Sequence, residues 1–143
     1  MKNSSKRTHI LFFLGTAVLL CIVLSIVFFN RTDEKKIKVG FILSGSMDEN
    51  GWNGEHYRAI SKVCEEYKAE LLVKENIAEF SGQCVTAAEE LIAEGAEMIF
   101  LNSYGYSEEV SGLVSNYPEV AFYANSSEYH TENMTSYFGL IRC

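Results

Sequence analysis

The chain has 143 residues, of which 48% are hydrophobic and 22% charged, and it contains a single proline. This composition excludes an intrinsically disordered protein and is typical of one globular domain joined to a strongly apolar segment. Residues 31–143 hold all 19 acidic residues but nine of the 12 basic ones, which gives them a net charge of −10. Because so acidic a domain repels phosphate backbones, we expect no nucleic acid among its partners.

An uncharged run of 20 residues lies near the amino terminus, from Ile10 to Phe29. A helix of this length, at about 1.5 Å rise per residue, spans the ~30 Å hydrocarbon core of a membrane. Basic residues precede the run, but no small-residue cleavage site follows it, and Cys21 lies mid-membrane after Leu20, which argues against lipidation. The sequence therefore predicts a cytoplasmic segment at 1–9, a transmembrane signal anchor at 10–29, a linker at 30–36 and an extracytoplasmic domain at 37–143.

The rest of the sequence alternates between apolar runs of strand length and amphipathic patterns with helical spacing. Gly95 follows one helical pattern in the position of a left-handed C-terminal residue, and Ser107 precedes the next as a predicted N-cap. The predicted elements are a strand at 37–43, a helix at 54–68, a strand at 71–74, a helix at 81–95, a strand at 97–101, a helix at 107–117, a strand at 120–124 and a strand at 136–141.

This order predicts an α/β fold, an open parallel sheet with helices on both faces, because strand–helix–strand units make right-handed crossovers. In such sheets, ligands bind outside the carboxyl ends of the strands. The loops that leave these ends are rich in Gly, Ser, Asn and aromatic residues. They comprise residues 44–53, 76–80, 102–106 and 125–133.

The first of these loops, GSMDENGWNG from Gly45 to Gly54, contains the only tryptophan of the chain. A carboxylate, Asp48 or Glu49, can accept a pair of sugar hydroxyls, and Trp52 offers a flat surface for stacking. A second polar and aromatic cluster, Asn102–Tyr106, follows the third predicted strand. Two such clusters at one sheet edge favour a binding site for a small polar ligand over a solvated loop with the tryptophan packed against the helix.

The sequence predicts no enzyme, no cofactor and no metal site. It lacks the nucleophile-elbow, P-loop and dinucleotide-binding glycine motifs. His56 and His130 are single histidines in acidic segments, and such histidines are usually surface residues. The four cysteines have neither a paired nor a metal-like spacing, and Cys64 and Cys84 fall at apolar helix positions, where we expect them to be buried.

Four sequence blocks, GFILSGSMDENGWN, MIFLNSYGYSEEV, NYPEVAFYANS and YFGLI, resemble in this order the amino-terminal part of the basic membrane protein family. These proteins are purine-nucleoside-type substrate-binding components of ABC transporters, and the resemblance covers about residues 37–141. It implies one lobe of a type I periplasmic binding protein-like fold, in which two hinged lobes close on a ligand. It also implies an ABC permease as the protein partner.

The resemblance further implies roles for individual residues. Trp52 occupies the position of the aromatic ring that stacks on a base, and Asn53 that of the amide that hydrogen-bonds it. Glu49, or Asp48, occupies the acidic position that meets the ribose. Three residues match the cleft-lining loop after the third strand: Ser103, Tyr104 and Gly105.

The chain departs from the family in its anchor, in Trp52 where phenylalanine is common, and in its length. Family members continue after the YFGLI block with a helix and a second lobe, whereas this sequence stops at Cys143. We therefore expect half of the cleft to be missing and one face of the sheet to be partly bare beside the fifth strand. The alternatives to a transport protein are a membrane-anchored sensor ectodomain and a non-functional fragment.

Overall fold

The computed structural model describes residues 15, 16, 18–25 and 35–138. They fall into two separate units, one before Lys36 and one from Lys36 onward. Residues 18–25 of the first unit are helical. Among the residues described, no helix combines the length and the apolar character needed to cross a membrane. The predicted anchor at 10–29 extends beyond the described residues on both sides, so it stays a prediction.

The second unit alternates strands and helices in the predicted order. Its elements are β1 (Lys38–Ile42), α1 (Trp52–Glu66), β2 (Glu70–Lys74), α2 (Gln83–Ala93), β3 (Met98–Leu101), α3 (Tyr106–Val114), β4 (Ala121–Asn125) and β5 (Met134–Tyr137). The strands form one sheet in the order β2-β1-β3-β4-β5, and every neighbouring pair is parallel. The prediction of an α/β fold with an open parallel sheet is confirmed.

The side chains of each strand alternate between two faces of the sheet. One face packs against α2 and α3 and forms the core, in which Ile99, Leu101 and Phe122 are buried. Gly40 belongs to this face, because a Cβ there would lie 2.9 Å from Cδ1 of Leu91 on α2. The other face packs against α1, so helices lie on both faces as predicted.

The face that carries α1 is covered unevenly. Phe41 on β1 is 2% exposed, whereas Phe100 on β3 and Tyr123 on β4, which continue the same row in register, are half-buried. The rings of Phe100 and Tyr123 stack with their centroids 4.8 Å apart. Among the described residues, this face is therefore less covered over β3 and β4 than over β1, and the expectation of a bare face beside the fifth strand stays a prediction.

The start of α3 differs from the prediction. The helix begins at Tyr106, so Ser107 lies inside its first turn and does not cap it. The Ser107 hydroxyl donates to the carbonyl oxygen of Tyr104 at 3.3 Å. Tyr106 is fully buried, and its hydroxyl donates to the carbonyl oxygen of Ile77 at 2.5 Å. This tertiary anchor fixes the first helical residue and overrides the preference of serine for the N-cap.

The start of α2 is also later than predicted. The helix begins at Gln83, and its N-cap is Gly82 in the left-handed conformation, with φ at 77°. Ser81 precedes the helix, and its hydroxyl accepts a hydrogen bond from the backbone N–H of Gln83 at 3.2 Å. Ser81 therefore stabilises the turn before α2, although the N-cap residue is Gly82.

The fifth strand begins two residues before its predicted start, and its predicted end lies outside the described residues. Its start is fixed by Asn133, whose side-chain nitrogen shares its two hydrogens among the carbonyl oxygens of Val114, Tyr117 and Val120, each at 3.0 Å. These bonds join the end of α3 to the beginning of β4 and β5. Because the contacts are far apart in sequence, no local pattern reveals this boundary.

The two cysteines predicted to be buried are buried. Cys64 on α1 is 5% exposed and Cys84 on α2 is fully buried, and both carry free thiols. Burial raises the pKa of both thiols, and the charge of Glu109 adds to the effect at Cys84. Since the thiolate is the reactive form, both residues act as small apolar side chains of the packing.

Gly95 closes α2 as predicted. It has φ at 92°, and its backbone N–H donates to the carbonyl oxygen of Ile92 at 2.9 Å. The N–H of Ala96 donates to the carbonyl oxygen of Leu91 at 2.9 Å, and Ala96 is buried. This pair of bonds is a Schellman motif, which needs a left-handed residue after the C-cap.

Replacing this glycine tests the motif. We expect Gly95→Ala to lower the free energy of unfolding by roughly 1–2 kcal/mol, because an L side chain is strained at positive φ. The control is Gly112→Ala on α3, where a Cβ meets no atom within 4 Å. That substitution should raise the free energy of unfolding by roughly 0.5–1 kcal/mol through helix propensity. Urea unfolding measures both, and two changes of the same sign would contradict the interpretation.

Candidate ligand-binding site

The loops that leave the carboxyl ends of the strands are held together by hydrogen bonds. The backbone N–H of Asn76, after β2, donates to the carbonyl oxygen of Gly45, after β1, at 3.2 Å. The N–H of Met47 donates to the Glu75 carboxylate at 3.0 Å. These bonds join the first two loops, and the seven predicted site residues all lie on loops or helix starts at this edge.

The first loop is organised around Glu49 and Asn53. One carboxylate oxygen of Glu49 accepts from both the backbone N–H and the side-chain nitrogen of Asn53, each at 2.9 Å. The side-chain oxygen of Asn53 accepts from the Ser44 hydroxyl at 3.3 Å. Asn53 is 6% exposed, so its amide shapes the loop from within. Asp48 lies exposed in the same loop.

A close backbone approach makes this loop specific for glycine at one position. A Cβ at Gly54 would lie 1.9 Å from the carbonyl oxygen of Glu49. No side chain fits at that distance, and the obstacle is backbone, which cannot move away cheaply. The glycine therefore lets the loop fold back on the first turn of α1, where Glu49 lies near the positive end of the helix.

Trp52 connects the first loop to the end of β3. Its indole Nε1 donates to the carbonyl oxygen of Asn102 at 2.9 Å. The ring lies against His56, with centroids 4.1 Å apart and an interplanar angle of 33°. Asn102 is fully buried, and its side-chain oxygen accepts from the Tyr137 hydroxyl at 3.4 Å. Trp52 is thus held at both its polar edge and one face.

Two titratable groups next to Trp52 have shifted pKa values. Burial lowers the pKa of His56, and a hydrogen bond with the side chain of Asn102 acts in the opposite direction. Burial raises the pKa of Tyr137 to about 12, so its hydroxyl stays protonated and donates at neutral pH. The imidazole that stacks on Trp52 is therefore neutral at pH 7.

The second and third loops carry two exposed aromatic side chains. Phe80 is 67% exposed and Tyr104 is 62% exposed. A Cβ at Gly105 would lie 2.7 Å from Cζ of Phe80, so the phenyl ring rests directly on this glycine. The N–H of Gly105 donates to the Glu79 carboxylate at 2.8 Å. Ser103 is half-buried in the same turn, which places all three predicted residues of this loop at the edge.

Sequence reasoning did not identify Phe80 or the carboxylate that holds it. This carboxylate belongs to Glu109, in the first turn of α3. In the structure its two carboxylate oxygens accept from the backbone N–H groups of Phe80, at 2.7 Å, and Gly82, at 2.6 Å. The sequence signal for Phe80 is the composition of the 76–80 loop. Its partner Glu109 lies 29 residues further along the chain, and their contact depends on the strand order of the sheet.

Two cavities adjoin the edge. A cavity of about 340 Å³ lies among Tyr104, Ser107, Glu108, Glu128 and Tyr129. A larger one, about 730 Å³, runs along α1 over the uneven sheet face and has almost entirely apolar walls. Because the larger cavity offers few polar groups, the polar edge is the better candidate for a small polar ligand. Within the described residues, no group of three or more His, Cys, Asp or Glu side chains is arranged to hold a metal ion.

Comparison with known proteins gives a consistent match. A family model described as "ABC transporter substrate-binding protein PnrA-like" matches residues 36–140. The chain is 29% identical over 106 residues to a purine-binding protein of Brucella abortus, covering 73% of this chain and 30% of that protein. It is 27% identical over 110 residues to basic membrane protein A of Borreliella burgdorferi, covering 73% and 32%. The chain thus spans about a third of the length of these curated relatives.

Solved structures show the same architecture. A transcriptional activator of the comK gene from Bacillus halodurans is 25% identical with a TM-score of 0.61, covering 69% of this chain and 33% of that one. An ABC transporter solute-binding protein from Conexibacter woesei is 19% identical with a TM-score of 0.62, covering 71% and 35%. At 19% identity, the similarity to the Conexibacter woesei protein shows a shared fold alone.

A pH titration tests the environment of His56. Its folded pKa is below the ordinary value near 6.5, so the unfolded chain binds more protons between these two values. The free energy of unfolding should therefore fall as the pH drops through the ordinary value near 6.5, and His56→Gln should show a smaller fall. Equal falls in the two proteins would contradict the assigned environment.

The role of Glu109 is tested by hydrogen–deuterium exchange. Glu109→Gln should speed amide exchange at Phe80 and Gly82, because a charged acceptor is replaced by a weaker neutral one, with a cost of about 1–2 kcal/mol. Glu108→Gln, on the neighbouring exposed position of α3, is the matched control. The assignment fails if both variants exchange like the unsubstituted protein at these two amides.

Proposed function

Because the chain belongs to the family of PnrA-like substrate-binding proteins of ABC transporters, we propose that its α/β unit binds a purine nucleoside or a similar small polar ligand. The unit acts as one lobe of a type I periplasmic binding protein-like fold and delivers the ligand to an ABC permease. It performs no chemistry on the ligand. The Brucella abortus relative is named a purine-binding protein, which supports a purine as the ligand class.

One observation carries the proposal: aromatic and carboxylate side chains of three loops lie at the carboxyl edge of one parallel sheet. Trp52 comes from the loop after β1, Phe80 from the loop after β2, and Tyr104 from the loop after β3. Hydrogen bonds between segments hold the indole of Trp52 and the backbone of Phe80 and of Gly105, the residue after Tyr104. A prearranged set of rings beside acceptors suits a flat base joined to a hydroxylated sugar.

The predicted residues take distinct roles in this proposal. Trp52 stacks on the base, and Asp48 accepts hydroxyl groups of the sugar from its exposed position. Glu49 and Asn53 hold the loop in shape through their mutual hydrogen bonds and contribute their remaining acceptor capacity to the ligand. Three residues line the opposite side of the site: Ser103, Tyr104 and Gly105.

We further propose that residues 10–29 anchor the protein in the cell membrane as a single helix, with the α/β unit outside the cytoplasm. The support is the uncharged run of 20 residues in the sequence. Fusing a reporter enzyme to the carboxyl terminus tests the orientation. An alkaline phosphatase fusion should be active and a cytoplasmic reporter inactive, and the reverse result would overturn this topology.

Calorimetry with nucleosides tests the binding function. Purine nucleosides should bind to the protein, and Trp52→Ala should weaken the binding by roughly 1–3 kcal/mol, the scale of a lost base–aromatic stack. The control is Tyr67→Ala, which removes a 76% exposed ring that follows α1, away from the carboxyl edge. An unchanged dissociation constant in Trp52→Ala would refute the stacking role.

A sensor ectodomain is the second candidate function. The Bacillus halodurans protein with the same architecture is called a transcriptional activator, which supports a regulatory use of this fold. Uptake of a labelled nucleoside by cells with and without the gene separates the two functions. Loss of uptake supports transport, whereas unchanged uptake with altered transcription supports sensing.

A further inference from the structure

An exposed phenylalanine at the site edge is held in an unusual conformation. Phe80 has φ at 56°, a left-handed conformation that bulky residues rarely adopt. Its side chain is nevertheless 67% exposed, so burial of the ring does not compensate for the strain. Backbone strain of this kind persists where the surroundings impose it, and such positions concentrate at binding sites.

The surroundings of Phe80 impose this conformation from two directions. The Glu109 carboxylate on α3 accepts from the backbone N–H groups of Phe80 and Gly82, at 2.7 and 2.6 Å. The glycine at position 105 lets the ring lie on the backbone of the next loop, where any Cβ would lie 2.7 Å from the ring. One face of the ring is therefore packed, and the other is presented to solvent at the carboxyl edge.

The neighbours of the ring belong to the site already described. Gly105 follows the exposed Tyr104, and its N–H is held by Glu79, the residue that precedes Phe80. The loop of Phe80 is also bonded to the loop that leads to Trp52, through Asn76. The loop of Phe80 thus contacts both clusters that the sequence predicts as the binding site.

We propose that Phe80 is a ligand-binding residue whose free ring face stacks on the planar heteroaromatic ring of the ligand, and that Glu109 positions it. This inference rests on the proposed function and adds a recognition element to the same site. A phenyl ring carries no hydrogen-bonding group, so it selects for a flat base and is indifferent to the sugar. Glu109 acts through the backbone of Phe80 and makes no contact with the ligand.

The test uses the full 143-residue chain in lipid nanodiscs, with NMR-detected titrations of adenosine, adenine and ribose at millimolar concentration. The unsubstituted protein should bind adenosine and adenine. Phe80→Ala should weaken the binding of both by about 10- to 100-fold, the range for one lost stacking contact, and leave any ribose binding unchanged. Phe80→Tyr keeps the ring and should stay within about twofold of the unsubstituted protein.

Two further variants separate recognition from folding. Glu109→Gln should weaken adenine binding less than Phe80→Ala does, and the double variant should be no weaker than Phe80→Ala alone, because both act through one ring. Tyr67→Ala, which removes an exposed ring that follows α1, should bind adenine like the unsubstituted protein. Urea unfolding of each variant shows whether the fold is intact.

The outcomes distinguish the two proposals. If the unsubstituted protein binds adenosine and Phe80→Ala binds it equally well, the assignment of Phe80 is wrong and the proposed function stands. If Phe80→Ala weakens ribose as much as adenine, the ring acts on loop shape and the stacking role is overturned. If none of the three probes binds to the unsubstituted protein, both proposals are rejected.

Discussion

The candidate site depends on hydrogen bonds from backbone N–H groups to carboxylates. Loops at a sheet edge leave N–H groups without strand or helix partners, and an ionised carboxylate is a stronger acceptor for them than a neutral group. Three of the carboxylates join segments that are distant in sequence, and the fourth, Glu49, bonds to Asn53 within the first loop and the start of α1. The four carboxylates are Glu49, Glu75, Glu79 and Glu109. The acidic composition of the domain therefore has a structural use at this edge.

The glycines at this edge have a complementary role. Gly54 lets the backbone of the first loop come within contact of the first turn of α1, and Gly105 lets the Phe80 ring rest on the third loop. In both places the approach is closer than a Cβ permits. The carboxylates supply attraction between the loops, and the glycines remove the steric obstacle to it. Rigid loops of this kind bind with less loss of entropy, since their side chains are already placed.

Much of the fold follows from patterns along the sequence. Buried strands such as β1 read as continuous apolar runs, and the left-handed Gly95 marks the end of α2, because both features are local. The starts of α3 and β5 were misplaced, since Tyr106 and Asn133 fix them through contacts with distant segments. The same limit applies to the site. Trp52 stands out by composition, whereas Phe80 becomes notable only through its partner Glu109 on another element.

Trp52 also links the site to the uneven face of the sheet. Its ring lines the large apolar cavity along α1, while its Nε1 is bonded to Asn102 at the carboxyl edge. Tyr137 lines the same cavity, and its hydroxyl is bonded to the side chain of Asn102. The position of the Trp52 ring at the carboxyl edge and that of the Tyr137 ring on the sheet face therefore depend on the same buried residue, Asn102.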